Sequence, residues 1–301
     1  MSTVDIMMPY YGDVALMQDA VRSVLAQDDP EWRLTVVDDG RAEGVPEWFA
    51  GLGDERVRYF RNERNLGVTG NFNRCLELVE HELVVMFGSD DLMLPNYVRT
   101  VRAVHRTYPD VGMIQPGVEV IDGDGRPVRT LADETKRRLY APRVAGRRQM
   151  RGEELAVSVL RGNWMYFPSV CWKAKAITAI GFRTDLAIIQ DLALVLDLME
   201  RGESLVVDDT LCFRYRRHTA SASGWTALEG SRFVEARNFF VEAAERMQRQ
   251  GWPRAARAAR AHLSSRLHAL TVLPTAVWQR NGDGVRTLMR HAFGPSRHIP
   301  D

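Results

Sequence analysis

Two apolar runs in the first third of the chain end on the same chemistry: LTVV at 34–37 runs into Asp38-Asp39-Gly40, and LVVMF at 83–87 into Gly88-Ser89-Asp90-Asp91. The second run has no polar face, which suits a strand covered on both sides better than a surface helix. Ahead of them, VDIMM at 4–8 is a further strand, stopping at Pro9-Tyr10-Tyr11. Asp13 is then placed to cap a helix in which Val14, Met17, Val21, Val24 and Leu25 recur at helical spacing. Strand, helix and strand within about forty residues make a βαβ unit, with parallel strands and a right-handed crossover. Such sheets collect ligands beyond the C-terminal ends of their strands. Tyr11, Asp39 and Asp91 are therefore expected along one edge.

Adjacent carboxylates at a buried strand end repel each other, and a divalent cation relieves that repulsion. The alternative for Asp90-Asp91 is a solvated turn with capping duty before the helix that Pro95 opens.

Further along, residues 57–60 read as a strand. Asn65, Gly67 and Gly70 then mark a turn into a helix buried through Phe72, Cys75, Leu76 and Val79. Such a turn either presents backbone N–H groups to phosphate or is a turn and no more. Tyr97, Val101, Val104 and Tyr108 make another helical stripe. Residues 111–115 and 118–121 read as two strands, followed by a DGDG turn that lacks the downstream glutamate of a calcium loop. Residues 126–151 are rich in arginine without a period, which suits a mobile or ligand-facing loop. Trp164, Tyr166, Phe167 and Trp172 crowd together and are read either as core or as a platform for a sugar ring. Asp191 opens a helix buried through Leu192, Val195, Leu196 and Met199, where the helix dipole favours its negative charge. Residues 206–207 and 211–215 suggest two short strands leading into YRRHTASAS. From about Leu228 the pattern is helical, with Pro253 and Pro274 as breaks and no chemistry evident.

With 301 residues, 45% hydrophobic and 26% charged, the chain can bury a large core and has the balance of an ordinary globular protein. Cys75, Cys171 and Cys212 are widely spaced, which suggests neither a disulfide framework nor a zinc site. The opening MSTVDIMMPYYG carries an acid and a proline where a secretory leader needs basic and then uninterrupted apolar residues, so a reducing cytoplasm is expected. Net charge is +1, which argues against wholesale nucleic-acid binding, but it is unevenly spread. Residues 231–301 hold 12 Lys+Arg against 5 Asp+Glu, a net of +7, leaving −6 for residues 1–230. Such a tail meets an acidic partner or the inner face of a membrane, or it packs on its own protein.

In order, PYYG at 9–12, VVDDG at 36–40, NLGVTGNFN at 65–73, FGSDD at 87–91, the QD pair at 190–191 and YRRHTASAS at 215–223 resemble the family 2 glycosyltransferases. The resemblance covers about the first three quarters of the chain. It implies an α/β fold of GT-A type: a Rossmann-like mixed sheet flanked by helices over residues 1–227, with a C-terminal helical extension over 228–301. It also implies an inverting, hexosyltransferase-like enzyme using a UDP-, dTDP- or GDP-linked donor, Mg²⁺ or Mn²⁺, and a glycan, lipid-linked or small-molecule acceptor.

Carried over by position, Pro9, Tyr11, Asp39, Asn65, Asn71 and Asp90 would meet the nucleotide, with Tyr11 on the base and Asp90 near the ribose. Asp91 and His218 would hold the cation, and Asp191 would be the base. Trp164 and Tyr166 would face the acceptor. A homodimer and membrane contact through the tail stay open. Three positions depart from the family pattern: Gly88 stands for a frequent aspartate, Phe72 for a frequent arginine and Gln190 for a glutamate. Two other readings compete. A sugar-phosphate nucleotidyltransferase would need a glycine-rich basic loop after the first strand, which PYYGD lacks; a catalytically idle nucleotide-sugar-binding protein would fit Gly88.

Overall fold

The computed structural model describes residues 2–217, 231–278 and 280–294. Its first part alternates as the periodicities demand: β1 (Val4–Tyr10), α1 (Val14–Leu25), β2 (Trp32–Asp38), α2 (Val45–Ala50), β3 (Val57–Arg61), α3 (Gly67–Glu77) and β4 (Leu83–Met86). Asp13 caps α1, its side chain accepting the Leu16 N–H at 3.0 Å. β1 pairs in parallel with β2 on one side and with β4 on the other, and β2 pairs with β3. Successive residues of β1 and β4 face opposite layers. Met7, Val84 and Met86 enter one core, while Ile6, Met8, Val85 and Phe87 enter a second on the other face. Covered on both sides, these strands have no polar alternation to show.

Beyond β4 come β5 (Leu92–Met93), α4 (Tyr97–Thr107), β6 (Met113–Ile121), α5 (Leu131–Thr135), β7 (Arg147–Met150) and α6 (Gly152–Arg161). β8 (Cys171–Lys173), α7 (Ala174–Thr178), α8 (Gln190–Glu200) and β9 (Leu205–Arg216) complete the sheet region. Among the described residues the strand order is β3-β2-β1-β4-β8-β6-β9-β5, with β7 paired to β9. β8 runs antiparallel to β4 and β6, whereas β6 and β9 are parallel. The result is the expected mixed α/β sheet flanked by helices.

Several local expectations change. The two short strands at 111–121 are one strand, β6, and those at 206–215 are one strand, β9. A register shift around Gly117 separates their halves. A Cβ at Gly117 would lie 2.7 Å from the Thr210 carbonyl oxygen, so only glycine lets the two strands stay joined through the irregularity. The arginine-rich stretch at 126–151 contains α5, a π-helical turn at Lys136–Tyr140 and β7, because its contacts are tertiary and leave no periodic trace.

Helices Ser231–Arg249, Pro253–Ala261, Leu263–Trp278 and Gly282–Phe293 form the C-terminal part. Pro253 begins a helix, where its missing N–H costs nothing, but Pro274 lies inside Leu263–Trp278 rather than ending it. Phe239, Phe240, Ala243 and Met247 share the main core with α6 and α8, and Phe233, Ala269, Ala276 and Leu288 form a small core of their own. All three cysteines are buried and free. No helix of the described residues is long and apolar enough to cross a membrane.

The β1–β4 ladder stops at Met7 opposite Met86, while β1–β2 continues to Tyr10 opposite Asp38. Pro9 lacks an N–H to offer β4, so the two strands part there. The crevice beyond them lies where the crossovers leave in opposite directions, the usual ligand position in such sheets.

Candidate active site

Asp91 follows β4 and is 1% exposed. Its Oδ1 accepts the Arg216 N–H at 2.8 Å, and the Arg216 Nε donates to the Asp90 carbonyl at 2.7 Å. Arg216 thus buckles the end of β9 onto the aspartate pair; its Nη1 continues to the carbonyl of Gly123 at 2.8 Å. Burial lifts the Asp91 carboxyl well above the usual carboxylate range, and the charge of Asp90 adds to the effect against the opposing pull of Arg216. A Cβ at residue 88 would come within 2.4 Å of Asp91 Oδ2. The carboxylate therefore lies over Gly88, in space a larger residue would deny it.

Asp191 stands in the first turn of α8, half-buried, with Oδ2 accepting the Asn163 Nδ2–H at 3.0 Å and Oδ1 the Leu192 N–H at 2.7 Å. Tyr215 joins the two acidic groups. Burial pushes its phenol up to about 12, and Asp91, Asp90 and Asp191 all reinforce the shift while Arg217 opposes it. Arg232, at the start of helix Ser231–Arg249, brings a half-buried guanidinium into the electrostatic range of Asp191, Glu235 and Tyr215; burial lowers its basicity and those neighbours restore part of it. Arg217 is held by Asp133 at 2.7 Å and 2.5 Å.

Asp39 lies on the other wall of the crevice. Its carboxylate accepts the Asn62 Nδ2–H and the Leu66 N–H at 2.8 Å and the Gly67 N–H at 3.0 Å. It anchors the N-terminus of α3, where an anion is favoured. Two residues on, Thr69 Oγ1 donates to Gln190 Oε1 at 2.9 Å. Asp39 is thus tied through the first turn of α3 to the residue beside Asp191.

The other expected residues divide. Tyr11 is 71% exposed beyond β1, with its ring beside Gly40. Pro9 lies in β1 opposite Val37. Asn65 is exposed and braces the turn, donating to the Asp39 carbonyl at 3.0 Å. Asp90 is half-buried beside Asp91. Asn71 does not face a ligand: it is buried, donating to the Val37 carbonyl at 3.0 Å and accepting from Asn62 at 3.1 Å, so it is an internal strut. Trp164 does not face an acceptor either. It is 4% exposed in the main core with Nε1 bonded to Ser158 Oγ, which leaves no ring face for a sugar. Tyr166 is half-buried, packed at 5.3 Å against Tyr215, with its hydroxyl on Asp133 at 3.1 Å. His218 lies outside the described residues.

Phe72, the departure from arginine, packs against Phe167 and Phe182 at 5.7 and 5.0 Å, an apolar setting that would not suit a cation. Gln190 replaces a carboxylate with an acceptor for Thr69.

Asp90 and Asp91 suit a hard divalent ion. Among the described residues no cluster of three metal-ligating side chains occurs. Mg²⁺ and ions like it are often held by one or two carboxylates with water and substrate phosphate, so the pair fits a cation that arrives with a diphosphate. Sequence reasoning missed Tyr215 and Arg216, although they open the YRRHTASAS motif, as well as Asn163, Arg232 and Glu235. No local pattern marks those last three.

Comparison with known proteins follows the same lines. The sequence model described as Glycosyl transferase family 2 matches residues 5–173. MT1568 of Mycobacterium tuberculosis is 31% identical over 229 residues, 72% of this chain and 68% of that one. Three further curated relatives are matched over 34%, 37% and 41% of their own lengths. Among solved structures, S. aureus TarS 1-349 in complex with UDP-GlcNAc superposes with a TM-score of 0.58 at 13% identity, covering 95% of this chain and 90% of that one. The mannosyltransferase PcManGT from Pyrobaculum calidifontis, in complex with GDP-Man and Mn²⁺, gives 0.56 at 16% identity, covering 97% and 86%. At these identities the structural likeness is one of fold.

Proposed function

The chain belongs to glycosyl transferase family 2 and has the GT-A fold, and from that premise we propose that it transfers a sugar from a nucleoside-diphosphate sugar to an acceptor hydroxyl with inversion at the anomeric carbon. The observation that carries this reading is geometric: Asp39 accepts the Gly67 N–H at the start of α3, Thr69 in the same turn bonds Gln190 beside Asp191, and Asp91 follows β4, which pairs with β1 as β2 does. A leaving diphosphate and an attacking alcohol need different carboxylates within one crevice, and this supplies them.

In the proposed reaction Tyr11 stacks on the base. Asp39 accepts a ring N–H, exchanging it for the Asn62 bond, the side-chain member of its three donors. Asp90 meets the ribose and Asn65 supports the turn beside it. Asp91, together with Asp90, would hold Mg²⁺ or Mn²⁺ against the diphosphate, where the ion offsets the charge of the departing group. The hydroxyl attacks opposite that group; the new C–O bond forms as the old one breaks, and Asp191 takes the proton. An ordinary aspartate has a pKa of about 3.9, so it serves as base only because the hydroxyl turns acidic as the bond forms. Positioning by Asn163 and the helix N-terminus then matters more than basicity. Arg232 balances Asp191 and the growing charge nearby. The donor class is supported by UDP-GlcNAc in TarS and GDP-Man in PcManGT.

One observation favours a second reading, catalytic idleness: Gly88 leaves a single buried carboxylate where the family often has more. The two separate in one experiment. The protein is incubated with UDP-, dTDP- and GDP-linked sugars with and without Mn²⁺, recording melting temperature and nucleoside diphosphate release. A donor that raises the melting temperature in a metal-dependent way and is turned over supports transfer; stabilisation without turnover supports idleness. Pyrophosphate release from a sugar phosphate and an NTP would instead mark a nucleotidyltransferase.

A further inference from the structure

An open concavity that shares no lining residue with the acidic rim holds about 700 Å³ between α6, the turn around Leu139–Pro142 and two C-terminal helices. Arg148, Arg161, Arg254 and Arg257 line it against one acid, Glu154. Arg148 pairs with Glu154 in a largely exposed contact, which is worth little, and Arg254 pairs with the better-buried Glu153, while its own guanidinium stays 63% exposed. Between the cations the wall is apolar, with Leu139, Met150, Leu263 and Leu267 among its residues.

The helix Leu263–Trp278 extends this apolar surface. Leu263, Leu267, Thr271, Pro274 and Trp278 follow at steps of four, four, three and four, so they share one face. All five are solvent-exposed, with Leu263 62%, Leu267 56% and Trp278 84% exposed. Its sixteen residues contain no Asp or Glu. The opposite face packs through Ala269 and Ala276 into the small C-terminal core. A helix apolar on its inner face needs no explanation, but one apolar on its outer face as well is left without cover.

We propose that this face docks on an anionic lipid bilayer. The helix Leu263–Trp278 would lie in the headgroup plane, with the groove arginines on lipid phosphates. This goes beyond the sugar-transfer reading and does not depend on it. Charge selects the occupant: the groove lining is cationic by four arginines to one glutamate, and residues 231–301, which supply two of those arginines and the helix Leu263–Trp278, carry +7. A second copy across a two-fold axis would set arginine against arginine. The helix spans about 24 Å, and no described helix is suited to crossing a bilayer, so the mode is lying on rather than spanning. Trp278 ends the exposed stripe, a residue whose ring favours the lipid–water boundary.

The test is co-sedimentation of the full chain with phosphatidylglycerol-containing vesicles and with pure phosphatidylcholine vesicles, at low and high salt. Expected is binding to the anionic vesicles alone, weakened by salt. Combined Arg254→Glu and Arg257→Glu should weaken it at least about tenfold. Trp278→Ser should also weaken it without lowering the melting temperature, since that ring supports little of the fold. Equal binding to both vesicle types, or variants that bind as well as the parent, would overturn the proposal. So would a parent dimer in sedimentation velocity that Trp278→Ser dissociates, because that assigns the face to a second copy.

Discussion

The carboxylate of Glu235 accepts the backbone N–H of Ile189 at 2.9 Å. It also takes the N–H groups of Ile188 at 2.8 Å and Ala187 at 3.1 Å. Ile189 is the N-cap residue of α8 and offers no side-chain cap of its own, so a residue of the C-terminal helices completes the helix start that carries Asp191. Glu235→Ala should lower kcat by roughly ten- to a hundredfold through misplacement of Asp191. Donor affinity by calorimetry should barely change; equal losses in affinity and kcat would show that Glu235 acts elsewhere.

Asp191→Asn keeps the size of the side chain and an acceptor oxygen for Asn163 but cannot take a proton. Turnover should fall by about 10² to 10⁴. The donor-induced rise in melting temperature should survive. Transfer at the parent rate would remove Asp191 from the role.

Gly88→Ala brings a methyl group against Asp91 Oδ2, a contact of 2.4 Å before relaxation. The carboxylate must move. The Mn²⁺ concentration for half-maximal donor binding should rise several-fold, and Asp91→Ala should abolish the metal dependence altogether. Titration calorimetry with and without Mn²⁺ reads both; unchanged metal linkage in Asp91→Ala counts against this residue as a ligand.

Trp164→Ala opens a cavity in the main core and leaves Ser158 without its donor. The expected cost is about 3 to 5 kcal/mol of stability, seen in chemical denaturation. A variant of parental stability with a raised acceptor KM would instead restore Trp164 as an acceptor contact.

His262 and His291 are buried beside Arg237 and Arg266, and burial together with those cations lowers them to about 4 and about 3. Unfolded, each titrates near 6.5. Below that pH the unfolded chain binds more protons than the folded one, so stability is full above about pH 6.5 and falls as pH drops toward 4 and then 3. The total loss should be on the order of a few kcal/mol. His291→Phe should flatten the slope of stability against pH across that window, measured by urea denaturation; an unaltered slope would place the effect in other groups.

The first half of the molecule was legible in sequence because its determinants are local or periodic. The apolar runs of β2 and β4, the helical spacing of α1 and the Asp13 cap all lie within a few residues of what they specify. The doubled strands β6 and β9 were harder: the Gly117 irregularity that breaks their pattern is bridged by pairing between segments more than ninety residues apart, from Met113 opposite Leu205 to Ile121 opposite Arg216. Asn71 and Trp164 were misread for a related reason. A polar or aromatic residue near a site looks the same in sequence whether it faces the ligand or braces the wall, and only burial and hydrogen-bond partners separate the two.

What the sequence by itself determined, then, was the alternation of elements, the family and the acidic residues at strand and helix ends, since each follows from spacing along one segment. The tertiary structure decided how those acids are held. Arg216 fastens Asp91 from a strand far along the chain, Glu235 secures the start of the Asp191 helix from the C-terminal part, and Gly88 leaves room for one carboxylate. Such contacts join side chains from segments that meet only when the sheet and its helices pack, so no local pattern of residues announces them.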